Sequence, residues 1–244
     1  MKKEKADSMS TTTVKCPYCG KPYPMVTIPP MLGVPARKVQ GRVCGCEGEQ
    51  SAMNAAHRRE VQGDLIRAWH GTGVPKRFRD VMPDRDGMAE LEFSGGIYMF
   101  GPKGTGKTTA ACRILKAYVR KNQRDGWVSA RFVSVPDWLA SMRGVWGDRE
   151  EEAFQRASRC KLLVLDDIGK GKPTGWAIER LFRLVDSRYN SARPTIYTSQ
   201  YDLGELGERC TVDGDTETAD AMVSRIYETC KGLTFDGPDL RKKA

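Results

Sequence analysis

Two clusters of residues in this sequence have types and spacings suited to chemistry. The first is Gly101-Pro102-Lys103-Gly104-Thr105-Gly106-Lys107-Thr108-Thr109. Its glycines let the backbone curl with N–H groups turned inward, where a helix N-terminus adds its dipole and favours an anion. GIYMF at 96–100 reads as a strand before the loop, and a helical pattern follows it. That strand–loop–helix context is the one in which such a loop cradles phosphates. All nine residues are therefore predicted to bind a nucleoside triphosphate. Lys107 is expected on the β- and γ-phosphates, with the Thr108 hydroxyl on Mg²⁺.

About sixty residues later, LLVL at 162–165 ends in Asp166-Asp167. A parallel strand would deliver both carboxylates to its C-terminal end, where open α/β sheets bind ligands. Asp166 is then the second Mg²⁺ residue. Asp167 is the base that polarises the attacking water. Taken alone, two carboxylates after a strand equally suit a turn or a helix cap. The run Pro194-Thr-Ile-Tyr-Thr198-Ser199-Gln200 ends in polar residues that either read the γ-phosphate or cap the next helix.

The second cluster is Cys16-Pro-Tyr-Cys19 with Cys44-Gly-Cys46. Four thiolates at this spacing suit tetrahedral Zn²⁺, with surface cysteines or a disulfide as the other readings. His57 is a substitute ligand for one of the last pair. A segment of 50 residues with so little apolar content needs a metal staple to fold. Cys112, Cys160, Cys210 and Cys230 stand alone and read as small buried hydrophobes.

These groups need elements to hold them. Apolar, β-rich runs fall at 96–100, 130–135, 161–165, 194–199 and 230–236. Helical patterns fall at 106–122, 136–143, 149–159, 175–190 and 218–228. Strands alternating with helices predict a parallel sheet covered on both faces, an α/β fold. Before it, residues 49–70 show helical spacing that stops at Gly71-Thr-Gly73. The Pro/Gly-rich stretch between the cysteine pairs allows short strands and turns but no long helix. The expected organisation is a zinc-binding module at 1–50, a helix and connector at 51–94, and a nucleotide-binding domain at 95–244.

The 244 residues carry 40 basic and 31 acidic side chains, a net charge of +9. The excess is concentrated before residue 70 and favours a polyanionic partner such as nucleic acid. Arg131, Phe132 and Lys170 are the candidates for that contact. With 39% hydrophobic and 29% charged residues, disorder and fibrous repeats are excluded. No apolar run suits a membrane helix, and the charged start has no apolar stretch of a secretory signal behind it. A cytoplasmic protein is expected.

GVPKRFRD, GPKGTGKT, LLVLDDIG, RPTIYTSQ, AMVSRIYE and GPDLR together resemble the AAA+ ATPases. The likeness is to the DnaC/DnaI-type replicative helicase loaders and their relatives, the IstB-like transposition ATPases. It covers nearly the whole chain. It implies a P-loop NTPase core of five parallel strands without a C-terminal lid domain. Asp167 matches the family's second carboxylate. Gln200 stands where the family usually has Asn as sensor 1, which lengthens the amide by one methylene. Arg225 matches the arginine finger that reaches a neighbouring subunit's γ-phosphate, and Arg241 matches sensor 2 in cis. The family's N-terminal domain contacts the helicase. The resemblance thus implies a bacterial or phage homo-oligomer, a spiral or hexamer. It would load a replicative hexameric DNA helicase onto single-stranded DNA, hydrolysing ATP at subunit interfaces. The alternatives are an IstB-like transposition ATPase acting on duplex DNA, or a weakly hydrolysing zinc- and nucleotide-binding adaptor.

Overall fold

The structure, a computed structural model, describes residues 14–30, 35–143 and 148–242. The basic start at 1–13 and part of the spacer between the cysteine pairs, 31–34, lie outside the described residues. Contacts divide the chain into two compact units, Met1–Gln62 and Gly63–Ala244. No described helix is long and apolar enough to cross a membrane.

In the first unit, β1 (Met25–Ile28) and β2 (Arg37–Gln40) pair antiparallel. These are the short strands that the Pro/Gly-rich spacer permits. Helix α1 (Glu47–Gly71) begins in this unit and ends in the next. Glu47 and Glu49 in its first turn suit the positive end of the helix dipole.

The second unit is built on a five-stranded, wholly parallel sheet of β3 (Gly96–Phe100), β4 (Ala130–Ser134), β5 (Leu162–Ile168), β6 (Thr195–Ser199) and β7 (Lys231–Thr234). The strand order is β4-β5-β6-β3-β7. Alternation along the strands divides the core between two faces. Ile97, Met99, Leu162, Val164 and Ile196 pack on one face with Leu115 and Val119 of α3 (Lys107–Asn122). Tyr98, Leu163, Leu165 and Tyr197 pack on the other. There they meet α4 (Val135–Met142), α5 (Asp148–Arg159), α6 (Gly175–Asn190) and α8 (Glu217–Thr229). Burial on both faces is why these strands read as continuous apolar runs.

Two helices are absent from the reading of the sequence. Helix α2 (Arg85–Ser94) starts at Asp84, whose side chain accepts from the Gly87 N–H, and stops at left-handed Gly95. Helix α7 (Leu203–Cys210) starts at a capping box in which Asp202 and Glu205 bond each other's backbone. So Asp202 caps this helix, not Thr198, Ser199 or Gln200. Strand β5 also runs past residue 165, taking both carboxylates into the strand.

Candidate nucleotide site and cysteine centre

β3 runs straight into the glycine loop, and three glycines there take positive φ. At Gly101, φ +135, a Cβ would collide with the Phe235 carbonyl. Gly106, φ +98, is the N-cap of α3 and has no side chain to bond the first turn, leaving those N–H groups facing the loop. The Thr105 hydroxyl donates to the Pro102 carbonyl at 2.9 Å. The Lys107 ammonium is buried and donates to the Gly101 and Pro102 carbonyls at 2.6 Å each. Burial lowers its pKa, while the charge of Asp167 works in the other direction.

The strand order explains the centre of the site. β6 lies between β3 and β5, so its last residues stand between the glycine loop and the carboxylates. The Thr198 hydroxyl donates to Asp166 Oδ1 at 2.7 Å, and the Thr108 hydroxyl donates to the same oxygen at 2.8 Å. Burial raises the Asp166 pKa, and these two hydroxyl donors oppose it. Thr198 is thus the fully buried residue that positions Asp166. Ser199 instead donates to the Ile168 carbonyl at 2.9 Å and holds the two strands together.

Consecutive strand residues normally point to opposite faces, which would send Asp167 away from Asp166. A register shift between Leu165 and Ile168 breaks that alternation. Asp167 takes a left-handed φ of +62, and its N–H donates to Thr198 Oγ1 at 3.0 Å. The bulge re-aims the second carboxylate into the cleft, where Lys170 pairs with it at 2.7 Å.

The cleft holds about 350 Å³. Lys103, Gly104, Gly106, Lys107, Thr108 and Thr109 form one side of it, and Asp167, Lys170 and Gln200 face them. Arg241 and Leu240 close it from the C-terminal segment, where the Leu240 N–H donates to the Gly104 carbonyl at 3.0 Å. Arg77 and Phe78, from the 3₁₀ turn Lys76–Phe78, also line it, with the guanidinium 4.8 Å from the ring centre. The sequence reading gave these two no role. Five cationic side chains and one aromatic ring suit a polyphosphate with a flat base. The oxygens of Thr108 and Asp166, both hard donors and already converged, suit Mg²⁺.

Not every candidate gathers here. Arg225 lies on α8, where it pairs with Asp186 at 2.6 Å and sits over the Phe182 and Tyr189 rings. Phe132 is buried among Ile97, Leu115 and Val164. It cannot offer its ring to a nucleic acid, because alternation along β4 turns it inward. Lys170 belongs to the cleft through its pairing with Asp167.

In the first unit, the Cys16 and Cys46 sulfurs lie 3.7 Å apart and those of Cys19 and Cys44 3.5 Å apart. All four lie within 4.8 Å of one another. Bonds of about 2.3 Å to a tetrahedral zinc would place sulfurs about 3.8 Å apart, whereas a disulfide needs about 2.05 Å. The set therefore fits zinc and not a pair of disulfides. His57 is exposed on α1 and takes no part. Glu49, a residue the sequence reading passed over, is buried and accepts from the Cys44 and Gly45 N–H groups at 2.5 and 2.8 Å. It orients the second knuckle. Burial acts to raise the Cys16 thiol, but N–H donors from Tyr18 and Cys19 outweigh it and hold the pKa low. The neighbouring Cys19 sulfur, with burial, pushes Cys44 up to about 12.

Comparison with known proteins decides the family. The model of the IstB-like ATP binding proteins matches residues 85–244, about two thirds of the chain. The chain belongs to the IstB-like ATP-binding family. An ATP-binding protein of insertion sequence IS21 from Pseudomonas aeruginosa is 27% identical over 209 residues, 81% of this chain and 76% of that one. The replicative helicase loader DnaC of Escherichia coli strain K12 is 30% identical over 128 residues. That match covers 48% of this chain and only half of DnaC. Among solved structures, DnaI superposes with a TM-score of 0.53 at 21% identity, covering 73% of this chain and 93% of that one. The DnaC helicase loader gives 0.52 at 22%, covering 66% and 100%. These likenesses place the IstB-like core in the AAA+ fold.

Proposed function

We propose that this IstB-like protein is an ATPase that loads a replicative hexameric helicase onto single-stranded DNA. The observation that carries the ATPase part is the convergence of the Thr108 and Thr198 hydroxyls on Asp166, at the mouth of the glycine loop. ATP fits the cleft with its phosphates along Gly101–Thr109 and its base toward Phe78 and Arg77. Lys107 exchanges the loop carbonyls for phosphate oxygens, a stronger charge-assisted bond. Thr108 and Asp166 are the residues that would hold Mg²⁺, which supplies neutralisation of phosphate charge when bound. Asp167 takes a proton from the attacking water, and the Gln200 amide orients that water. Arg241 covers the phosphates in cis. Arg225 exchanges Asp186 for the γ-phosphate of an adjacent protomer, so that turnover requires a homo-oligomer.

The organisation follows the same reading. Residues 1–50, stapled by Zn²⁺ on Cys16, Cys19, Cys44 and Cys46, hold the helicase. Residues 51–94 connect them to the ATPase at 95–244. The likeness to DnaC supports the loader reading. A second reading, a transposition ATPase acting on duplex DNA, is supported by the family match and the longer IS21 likeness.

ATP turnover, with and without single-stranded DNA, tests the engine. Turnover should rise with the strand and vanish in Asp167→Asn; turnover indifferent to that change sinks the hydrolase reading. Retention of the cognate replicative helicase on the immobilised full chain, dependent on ATP, supports the loader. Retention of a transposase instead moves the assignment to the second reading.

A further inference from the structure

The nucleotide cleft lies at the C-terminal ends of the strands. A separate groove of about 250 Å³ opens near the N-terminal ends of β4 and β5. A five-residue strand spans about 17 Å, so the two are at opposite ends of the sheet. The groove is lined by Trp127, Arg131, Gln155, Arg156 and Arg159. Trp127 is 68% exposed, whereas Trp69 and Trp138 are in the core. Its posture is fixed by a tight turn: Arg124 and Trp127 exchange both backbone hydrogen bonds at 2.8 Å, around left-handed Asp125 and Gly126. Such a turn fixes the Trp127 backbone and the direction in which its side chain leaves it, toward solvent.

Arginines in the last turn of a helix often serve only its dipole. Here the terminal carbonyls also have a partner of their own. Buried Arg188 takes the carbonyls of Ala157, Ser158 and Cys160 at 2.8–3.2 Å, satisfying the end of α5 from inside. Arg156 and Arg159 bond none of these carbonyls and line the groove instead. Arg156 pairs with Glu152 at 3.3 Å, while Arg131 and Arg159 have no ion-pair partner among the described residues. The acids around the groove are Asp125, Glu152, Glu151 and Asp64. The charge of Glu151 faces Arg159, but its ion pair is with Arg183; Asp64 lies beside Gly126 and pairs with Arg67. Three cations beside one presented indole match a backbone of phosphates with an unstacked base.

We infer that this groove binds single-stranded nucleic acid, with a base stacked on Trp127 and phosphates on Arg131, Arg156 and Arg159. The inference deepens the loader reading and rests on it. Nothing in the groove is shared with the nucleotide cleft, so the two activities separate by mutation.

The test is fluorescence anisotropy of a labelled (dT)20 strand and a 20-bp duplex, titrated with the full chain and ATP over a range of salt. R131Q/R156Q/R159Q should weaken (dT)20 binding at least tenfold and reduce the salt slope by about 2. Trp127→Ala should weaken it about tenfold with the slope unchanged. Both variants should keep wild-type affinity for a fluorescent ATP analogue, which also reports that they fold. Unchanged (dT)20 affinity in both overturns the groove alone. An equal loss in the charge-matched control K38Q/R58Q/R59Q overturns it as a generic charge effect. An equal effect of Trp127→Ala on the duplex overturns the single-strand assignment. A wild-type chain that binds no (dT)20 overturns the inference together with the loader reading.

Discussion

The nucleotide cleft and the cysteine centre solve the same problem, fixing a few donors in space, by different means. In the second unit the donors hang from strands buried on both faces, and Thr198 and Asp166 sit at the ends of runs with almost no exposure. The scaffold exists before any ligand does. The first unit has little to bury: Val14, Tyr18, Met25, Val26 and Val43 are all half exposed or more. There the donors must themselves supply the scaffold. A large core frees a site to be chemically strained, while a small one makes the site and the fold a single cooperative object.

The contrast breaks most sharply on metal removal. A structural zinc contributes on the order of 10 kcal/mol or more at neutral pH. Chelation should therefore open residues 14–46 to hydrogen exchange and protease, while the thermal transition of the second unit stays put. Unchanged protection there would mean that the cysteines carry no metal. Next in size is Lys107→Ala, which should weaken ATP binding by roughly 100-fold or more, through loss of a charged donor, with the fold intact. Isothermal titration would show it, and retained affinity would refute the loop assignment.

A smaller effect separates positioning from contact. Thr198→Val keeps the shape of its side chain but removes one of two hydroxyl donors to Asp166 and the acceptor of the Asp167 N–H, at a cost of about 1–2 kcal/mol. Turnover should fall roughly tenfold while ATP affinity changes little. If both fall together, Thr198 does more than orient its neighbour. The smallest change sharpens the comparison from the other side. Burial raises the Asp166 pKa, so the folded state disfavours its charge at neutral pH. Asp166→Asn removes that charge and should melt a few degrees higher without nucleotide, yet lose metal-dependent ATP binding. A mutant that melts lower would show that Asp166 is a structural residue first. Loss of a cysteine ligand should give no such gain, because there the function and the stability coincide.

What was legible in the sequence was local. The spacing Gly101–Thr108 and the apolar run into Asp166 are read within a dozen residues, and the structure brings them together as expected. The four cysteines converge across 25 to 30 residues, yet each pair carries its own short knuckle spacing, and that is what made them legible. Thr198 could not be singled out from Ser199 and Gln200, because its role depends on β6 lying between β3 and β5. Strand order is a property of the whole chain. The turn carrying Arg77 and Phe78 reaches the cleft from outside the sheet, and no periodicity marks it. Helix α7 was too short to show a period, although Asp202 and Glu205, three apart, carry its start. Phe132 was misjudged where alternation could have helped, since Ala130, Phe132 and Ser134 share one face of an edge strand and Arg131 takes the other.

The bulge at Asp167 restricts how this protein could change over generations. A left-handed backbone there admits Asp, Asn or Gly with ease and penalises branched side chains. A descendant that abandoned turnover but kept its nucleotide as an architectural strut would then have few exits open. Asn or Gly at 167 is the mark by which such a retired motor would be recognised.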